Sequence, residues 1–199
     1  MGKKIHIDKV IELFNKSPVV DAKSVKRIVR RKKNIKQYSR HILKNLIKQN
    51  KIYPLTKGYY TKHDEISLAV FAFQPSYLGL QDALSQHNLW EQETIPIIIT
   101  SKNVRTGIRK VMRRNILVRK INKKYLFGYE FKKIGNFNLP YSDIEKTFID
   151  MIYFNEKYDV VLISDIKKKL NKNKLNDYLK KYPLKFRQKV EKVLKENLR

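Results

Sequence analysis

Apolar residues in the first third of the chain recur with a helical period. Val10, Ile11, Leu13 and Phe14 form one face behind Asp8, a side chain suited to capping a helix start. Ser17-Pro18 breaks that pattern, and Val19-Val20 reads as a short strand. Asp21 then caps a second predicted helix, with Val25, Ile28 and Val29 inward and Lys26, Arg27, Arg30 and Arg31 outward. A third helix is predicted from about Ile35 to Asn50, its core face carrying Ile42, Leu43, Leu46 and Ile47. The other side carries Lys36, Gln37, Tyr38, Ser39, Arg40, Lys44 and Lys48. Ile52-Tyr53 and Tyr59-Tyr60-Thr61 flank the turn Thr56-Lys57-Gly58, which predicts a small hairpin with a basic tip.

Three short helices followed by a hairpin are the sequence image of a winged helix-turn-helix, here residues 1–65. In that arrangement the third helix enters the major groove of DNA and the hairpin approaches the backbone or minor groove. Gln37, Ser39 and Arg40 carry donors and acceptors suited to base edges. Lys44, Lys48 and the tip residue Lys57 suit phosphates, which position a protein without reading sequence. Arg30, Arg31, Lys33 and Lys36, and Tyr38 on the third helix, complete the candidate DNA surface.

After His63-Asp64-Glu65 the pattern changes. Ser76 to His87 reads as a helix with Leu80, Ala83 and Leu84 inward, and Ile95–Thr100 as a strand with its proline at the start or at an edge. Asn115–Ile121 and Tyr125–Phe131 read as a hairpin around Asn122-Lys123-Lys124. Ser142-Asp143-Ile144-Glu145 is a capping box opening a helix with Ile144, Phe148, Ile149 and Ile152 on one face. Val160–Ile163 reads as a strand or a packed loop, Ser164-Asp165 as the cap of a basic helix, and Phe186–Leu198 as a terminal helix. Residues 66–199 are therefore predicted to form a mixed α/β domain, and the whole chain an α+β fold.

Composition sharpens this picture. The chain has 199 residues, with 45 Lys+Arg against 18 Asp+Glu and a formal charge of +27, so an anionic partner is expected. Residues 1–65 hold 18 of the basic groups and 5 of the acidic ones, the densest imbalance in the chain. With 42% hydrophobic residues it is no disordered polycation. The absence of cysteine excludes disulfides, Cys zinc sites and thiol catalysis, and suits a reducing cytoplasm. No apolar stretch is long enough to span a bilayer, so no membrane partner is expected. A second basic cluster, Arg105, Arg109, Lys110, Arg113 and Arg114, offers the later domain a surface of its own: for a partner protein, for more DNA, or as a solvated loop.

Four stretches, taken in order, resemble the AbiEi-type antitoxin and transcriptional-regulator family of type IV toxin–antitoxin systems. They are Tyr38-Ser39-Arg40-His41-Ile42 through Leu46-Ile47 to Lys57-Gly58-Tyr59-Tyr60; Ser76–Leu84 running to Pro96–Thr100; Tyr125-Leu126-Phe127-Gly128-Tyr129; and Asp143–Tyr153. Together they lie within about residues 8–160. The resemblance implies an N-terminal domain that binds operator DNA, built of inverted repeats, and represses its own operon. It also implies a second domain that neutralises a nucleotidyltransferase toxin. Lys33-Asn34 stands where the family has a glycine in the turn before the third helix, and Asn tolerates the left-handed conformation such a turn needs.

Two other readings compete. One is a winged-helix regulator whose second domain senses a signal and which has no toxin. The other is a metal-dependent nuclease, in which Asp159, the apolar run after it and Asp165-Ile166-Lys167 resemble an acid followed by Asp-x-Lys at a strand end. Helix capping explains the same residues more simply, and Glu145 and Asp150 read as a cap and a buried acid. Trp90 and the tyrosines offer stacking surfaces for single-stranded bases, but most of the tyrosines sit in core-like patterns. His6, His41, His63 and His87 are too scattered for a metal site, so no enzyme activity, metal or cofactor is predicted.

Overall fold

The computed structural model describes residues 2–30 and 34–196. It is a mixed α+β fold in two compact units. One is Met1–Ala72 with Lys110–Asn115, the other Phe73–Arg109 with Ile116–Arg199. The first unit thus continues past Glu65 through the apolar 3-10 segment that begins at Ile66, in which Leu68, Ala69 and Val70 are buried.

In the first unit the order is α1 (Gly2–Lys16), β1 (Val20–Asp21), α2 (Ala22–Ile28), α3 (Ile35–Lys48), β2 (Tyr53–Thr56) and β3 (Tyr59–Thr61). The strands form an antiparallel sheet in the order β1-β3-β2. Val10 and Phe14 of α1, Val25 of α2, and Ile42, Leu43 and Leu46 of α3 meet in one buried cluster. Helix α1 starts at Gly2, so Asp8 lies inside it and caps nothing. The reason is visible in the spacing: Ile7 stands three, four and seven residues before Val10, Ile11 and Phe14, so the apolar stripe already includes a residue on the N-terminal side of Asp8.

Asp21 does cap α2, its carboxylate accepting the Ser24 amide at 2.7 Å. Burial works against that charge, but the Ser24 hydroxyl and amide hold its carboxyl below the ordinary range. Asn34 precedes α3 with φ 53° and ψ 48°, the left-handed conformation expected of the turn. Between β2 and β3 the two-residue turn Lys57-Gly58 depends on Gly58 at φ +85°, and the Gly58 carbonyl accepts the Ala22 amide at 2.8 Å.

The second unit and the strands that reach it comprise β4 (Ser76–Leu78), α4 (Leu80–Gln86), β5 (Ile97–Thr100), β6 (Gly107–Val111), β7 (Arg114–Lys120), β8 (Tyr129–Ile134), β9 (Phe137–Ser142), α5 (Ile144–Tyr153), α6 (Val160–Lys169), α7 (Lys172–Leu179) and α8 (Leu184–Glu196). The six strands run in the order β6-β7-β5-β4-β9-β8. β4 is antiparallel to β5 and parallel to β9, while β5 and β7 are parallel. Tyr77, Leu80, Leu84, Ile97, Ile99, Phe148, Ile152, Ile166 and Val190 share the core that joins the sheet to α4–α8.

Four expectations are corrected here. Ser76–Leu78 is a central strand, not the start of a helix; Gly79 separates it from α4, and a Cβ there would lie 2.5 Å from Ile99 Cδ1. Asn115–Ile121 and Tyr125–Phe131 do not pair with each other. β7 runs beside β5, and β8 instead makes a hairpin with β9 through Gly135-Asn136. Ser142 ends β9, and Asp143 caps α5 by accepting the Lys146 amide at 2.7 Å. Glu145 does not reach back to the cap, because its carboxylate accepts the Asn171 amide at 2.7 Å. Finally, Val160–Ile163 is the first turn of α6, capped by Asp159, so Ser164 and Asp165 lie inside that helix.

Candidate nucleic-acid interface

Helix α3 has two sharply different faces. Ser39, Ile42, Leu43 and Leu46 are buried, while Lys36, Gln37, Arg40, His41, Lys44, Asn45 and Lys48 are exposed. Gln37, His41 and Asn45 follow one another at i, i+4 and i+8, and Gln37, Arg40, Lys44 and Lys48 at i, i+3, i+7 and i+11. These spacings make one continuous stripe, roughly 16 Å long at 1.5 Å per residue. His41 and Asn45 touch within it, Nε2 to Nδ2 at 3.1 Å. Sequence reasoning passed over both residues, though their helical spacing from Gln37 was the available signal.

The α3 cations are free to meet phosphates. Among the described residues the ion pairs of this unit are Glu12–Lys16 and Asp64–Arg114, so no carboxylate neutralises Lys36, Arg40, Lys44 or Lys48. Arg30 and the hairpin tip Lys57 are also exposed. One candidate, Ser39, falls away. Ser39 is 1% exposed and its hydroxyl donates to the Lys36 carbonyl at 3.1 Å, so it faces the core and not a ligand. Tyr38 is half-buried against the core, its ring edge-on to His6 at 6.2 Å. Arg31 and Lys33 lie outside the described residues.

The second basic cluster is not a uniform patch. Arg105 and Arg109 belong to the second unit, and Lys110, Arg113 and Arg114 to the first. Arg109 folds back to donate to the Arg105 carbonyl and lies over the Phe73 ring. Arg114 pairs with Asp64 at 2.5 Å. Lys110 and Arg113 are exposed, Arg113 in the β6–β7 turn Met112-Arg113, where both residues have positive φ.

The second unit holds charge in another way. Lys146 and Asp150 are both fully buried and paired one helical turn apart on α5. The Tyr77 hydroxyl donates to the same carboxylate at 2.6 Å, and the Lys146 ammonium reaches Tyr182 Oη at 3.3 Å. Burial pushes the Asp150 carboxyl upward against the pull of Lys146, and pushes the Tyr77 phenol well up. At the start of α5 the Tyr178 hydroxyl donates to Asp143 at 2.7 Å, and burial with that bond pushes its phenol up to about 12. Lys174 pairs with Asp143 at 3.1 Å and with Glu145 at 3.4 Å, tying α7 to α5. This cluster is closed to solvent at its centre and acts as an internal tie.

The residues of the nuclease reading are not assembled at a strand end. Asp159 is spent on the α6 cap, and Asp165 pairs with Lys168 at 2.7 Å. Among the described residues no three His, Asp or Glu side chains gather to hold a metal ion. No helix among them is long and apolar enough to cross a membrane.

No family model matches the chain, and no curated protein does. Among solved structures the chain is similar to the crystal structure of the RV2827C protein from Mycobacterium tuberculosis. The TM-score is 0.61 at 9% identity, over 96% of this chain and 75% of that one. At that identity the likeness shows a shared fold.

Proposed function

We propose that residues 1–65 are a winged helix-turn-helix that binds double-stranded DNA, and that the chain represses its own operon. The observation that carries this is the unneutralised basic stripe of α3, within the run α1-β1-α2-α3-β2-β3 whose hairpin ends in exposed Lys57. In this reading α3 enters the major groove, Gln37 and Arg40 meet base edges, and Lys44, Lys48 and Lys57 bind phosphates. Asn45 and His41 add an amide and an imidazole to the same stripe. We also propose that the second unit neutralises a nucleotidyltransferase toxin, which makes the chain the antitoxin of a type IV pair; the family resemblance supports this half.

The test has two arms. The full chain should bind a duplex from its own upstream region with an affinity that falls steeply as salt rises, because each neutralised phosphate releases counterions. An affinity indifferent to salt removes the DNA reading. Co-expression with a nucleotidyltransferase encoded beside it should restore growth. Failure of the full chain to rescue removes the antitoxin half and leaves a repressor.

A further inference from the structure

The six-stranded sheet ends at β8, with β9 on one side and, among the described residues, no strand on the other. The backbone fixes which groups of β8 face outward. The Gly128 carbonyl accepts the Asp143 amide at 3.0 Å, one position before the pair Tyr129 and Ser142. Hydrogen-bonded pairs alternate along an antiparallel ladder, so the N–H and C=O groups of Glu130, Lys132 and Ile134 turn toward β9. Pro140, opposite Phe131, has no N–H to give and agrees with that alternation. Tyr129, Phe131 and Lys133 therefore aim their N–H and C=O away from the sheet. The edge is open: Phe131 is 62% exposed, and Tyr129, Glu130 and Lys133 are exposed as well.

Edge strands are commonly blunted by charge, lysine above all, and β8 carries Lys132 and Lys133. Against an arbitrary strand they work that way. Against a second β8 they do not, and the reason is register. Antiparallel self-pairing about a two-fold axis that overlaps most of the strand is centred on Glu130, Phe131 or Lys132, because outward-facing residues must oppose one another. Centring on Glu130 sets two carboxylates face to face, and centring on Lys132 does the same with two ammonium groups; like charges directly opposite are destabilising. Centring on Phe131 puts Glu130 of each copy opposite Lys132 of the other, Tyr129 opposite Lys133, and the two Phe131 rings side by side on the axis. Opposite charges, a cation beside an aromatic ring and an aromatic pair are each favourable across strands. Every outward backbone group of Tyr129, Phe131 and Lys133 then has a partner.

We propose that β8 is a self-pairing edge, through which two copies of this chain join their sheets about a two-fold axis at Phe131. The lysines select the occupant, since a strand must offer an acid and an aromatic ring at these places to accept them. Contact along one short strand falls below the roughly 1,200 Å² of a standard interface, so the dimer is weak and concentration-dependent. Each copy carries a formal +27, which opposes association at low ionic strength and is screened over about 8 Å at physiological salt. The proposal depends on neither the DNA reading nor the toxin reading.

The experiment is sedimentation velocity of the full chain at physiological salt, at concentrations up to about 1 mM, which should show a reversible monomer–dimer equilibrium. A monomer throughout overturns the proposal. Glu130→Lys sets lysines opposite each other and Lys132→Glu sets carboxylates opposite each other, so each variant alone should dimerise at least tenfold more weakly. Mixed, the two variants should form a heterodimer about as tight as the native dimer, because acid and base again face each other across the axis. A mixture no tighter than the separate variants overturns the proposal, as does undiminished dimerisation of either alone. Phe131→Pro removes an amide that β9 does not use, so it should abolish dimerisation and leave the melting temperature near the native one. Retained dimerisation in that variant overturns the proposal. If a variant fails to fold, hydrogen exchange of the native chain decides. The Tyr129, Phe131 and Lys133 amides should gain protection as concentration rises, and a dimer that leaves them unprotected uses another face and overturns the proposal.

Discussion

Lys44 and Lys146 are the same residue type on two amphipathic helices, and they do opposite things. Lys44 stands on the open face of α3 with no carboxylate near it, and Lys146 lies sealed inside the second unit against Asp150. The difference extends to the units they belong to. In the first, the buried polar side chains among the described residues are Ser39 and Thr61, and their charge is kept at the surface. In the second, Asp82, Asp143, Glu145, Lys146 and Asp150 are all buried. Net charge alone therefore says little about where a ligand binds. What separates an interface cation from a structural one is whether the fold has already given it a partner.

The largest expected effect breaks this contrast directly. Lys146→Ala or Asp150→Ala leaves a buried charge unpaired and should lower unfolding stability by about 3–5 kcal/mol. Lys44→Ala should change it by less than about 0.5 kcal/mol. Urea denaturation of the three variants measures both. Replacing the pair together, as Lys146→Met with Asp150→Leu, should recover most of the loss, because no lone charge remains. Equal costs for Lys44→Ala and Lys146→Ala would erase the distinction.

Next in size is the division of labour within α3. Arg40→Ala should cost about 1–3 kcal/mol of binding to the preferred duplex and relax base preference at one position. Lys48→Ala, a little over two turns along, should weaken all duplexes alike and reduce the salt slope by about 1. Competition binding with scrambled duplexes at two salt concentrations separates them. Sequence-blind losses from both variants mean that α3 is not the reading element.

These two predictions also mark where the sequence was informative. α2, α3 and the β2–β3 hairpin were legible because their signals are local: the Asp21 cap, the spacing of Ile42, Leu43 and Leu46, and the Lys57-Gly58 turn. β4 was not, since Ser76, Tyr77 and Leu78 are all buried in mid-sheet and show no alternation. The partners of β7 and β8 were hidden for another reason. Asn115–Ile121 and Tyr125–Phe131 are good strands close in sequence, but the parallel pairing of β7 with β5 is a tertiary choice with no local mark. Val160 and Val161 misled by composition: β-branched and apolar, they lie 60% and 68% exposed in the first turn of α6. At the candidate site, Ser39 stands three, four and seven residues before Ile42, Leu43 and Leu46, so helical spacing already put it on the buried face, and its polar side chain masked that.

A weaker effect sharpens the comparison from the side of the second unit. His87 Nε2–H donates to the Ser142 carbonyl at 2.9 Å, leaving Nδ1 to accept from the Lys132 ammonium at 3.1 Å. That arrangement requires a neutral ring. Burial pushes the imidazole below its ordinary value of 6.5, the Ser142 bond opposes that shift, Lys132 adds to it, and Glu130 and Asp143 pull the other way. The unfolded chain therefore takes up this proton more readily than the folded one. The stability contributed by His87 is full above about pH 6.5 and is lost as pH falls below it through the folded value. Denaturation midpoints at several pH values for the native chain and His87→Gln should show the native chain losing more stability between pH 7 and pH 5. Parallel curves would mean that His87 does not carry the proton difference.

The smallest expected effect lies at the turn into α3, where the first unit sets the angle of its open face. Asn34 is held at φ 53° and makes no side-chain cap bond, so its role is conformational. Glycine occupies that region without a Cβ penalty, asparagine with little, and a β-branched residue only with strain. Asn34→Gly should therefore leave stability within about 0.5 kcal/mol, the freedom gained by the unfolded chain offsetting the relief in the folded one. Asn34→Val should cost about 1–2 kcal/mol. DNA affinity adds a second readout. If the turn only positions α3, Asn34→Gly should keep both affinity and base preference, and Asn34→Val should lower affinity without altering which duplex is preferred. A changed preference in Asn34→Gly would instead make the asparagine amide part of the reading surface, and would move the start of that surface back to residue 34.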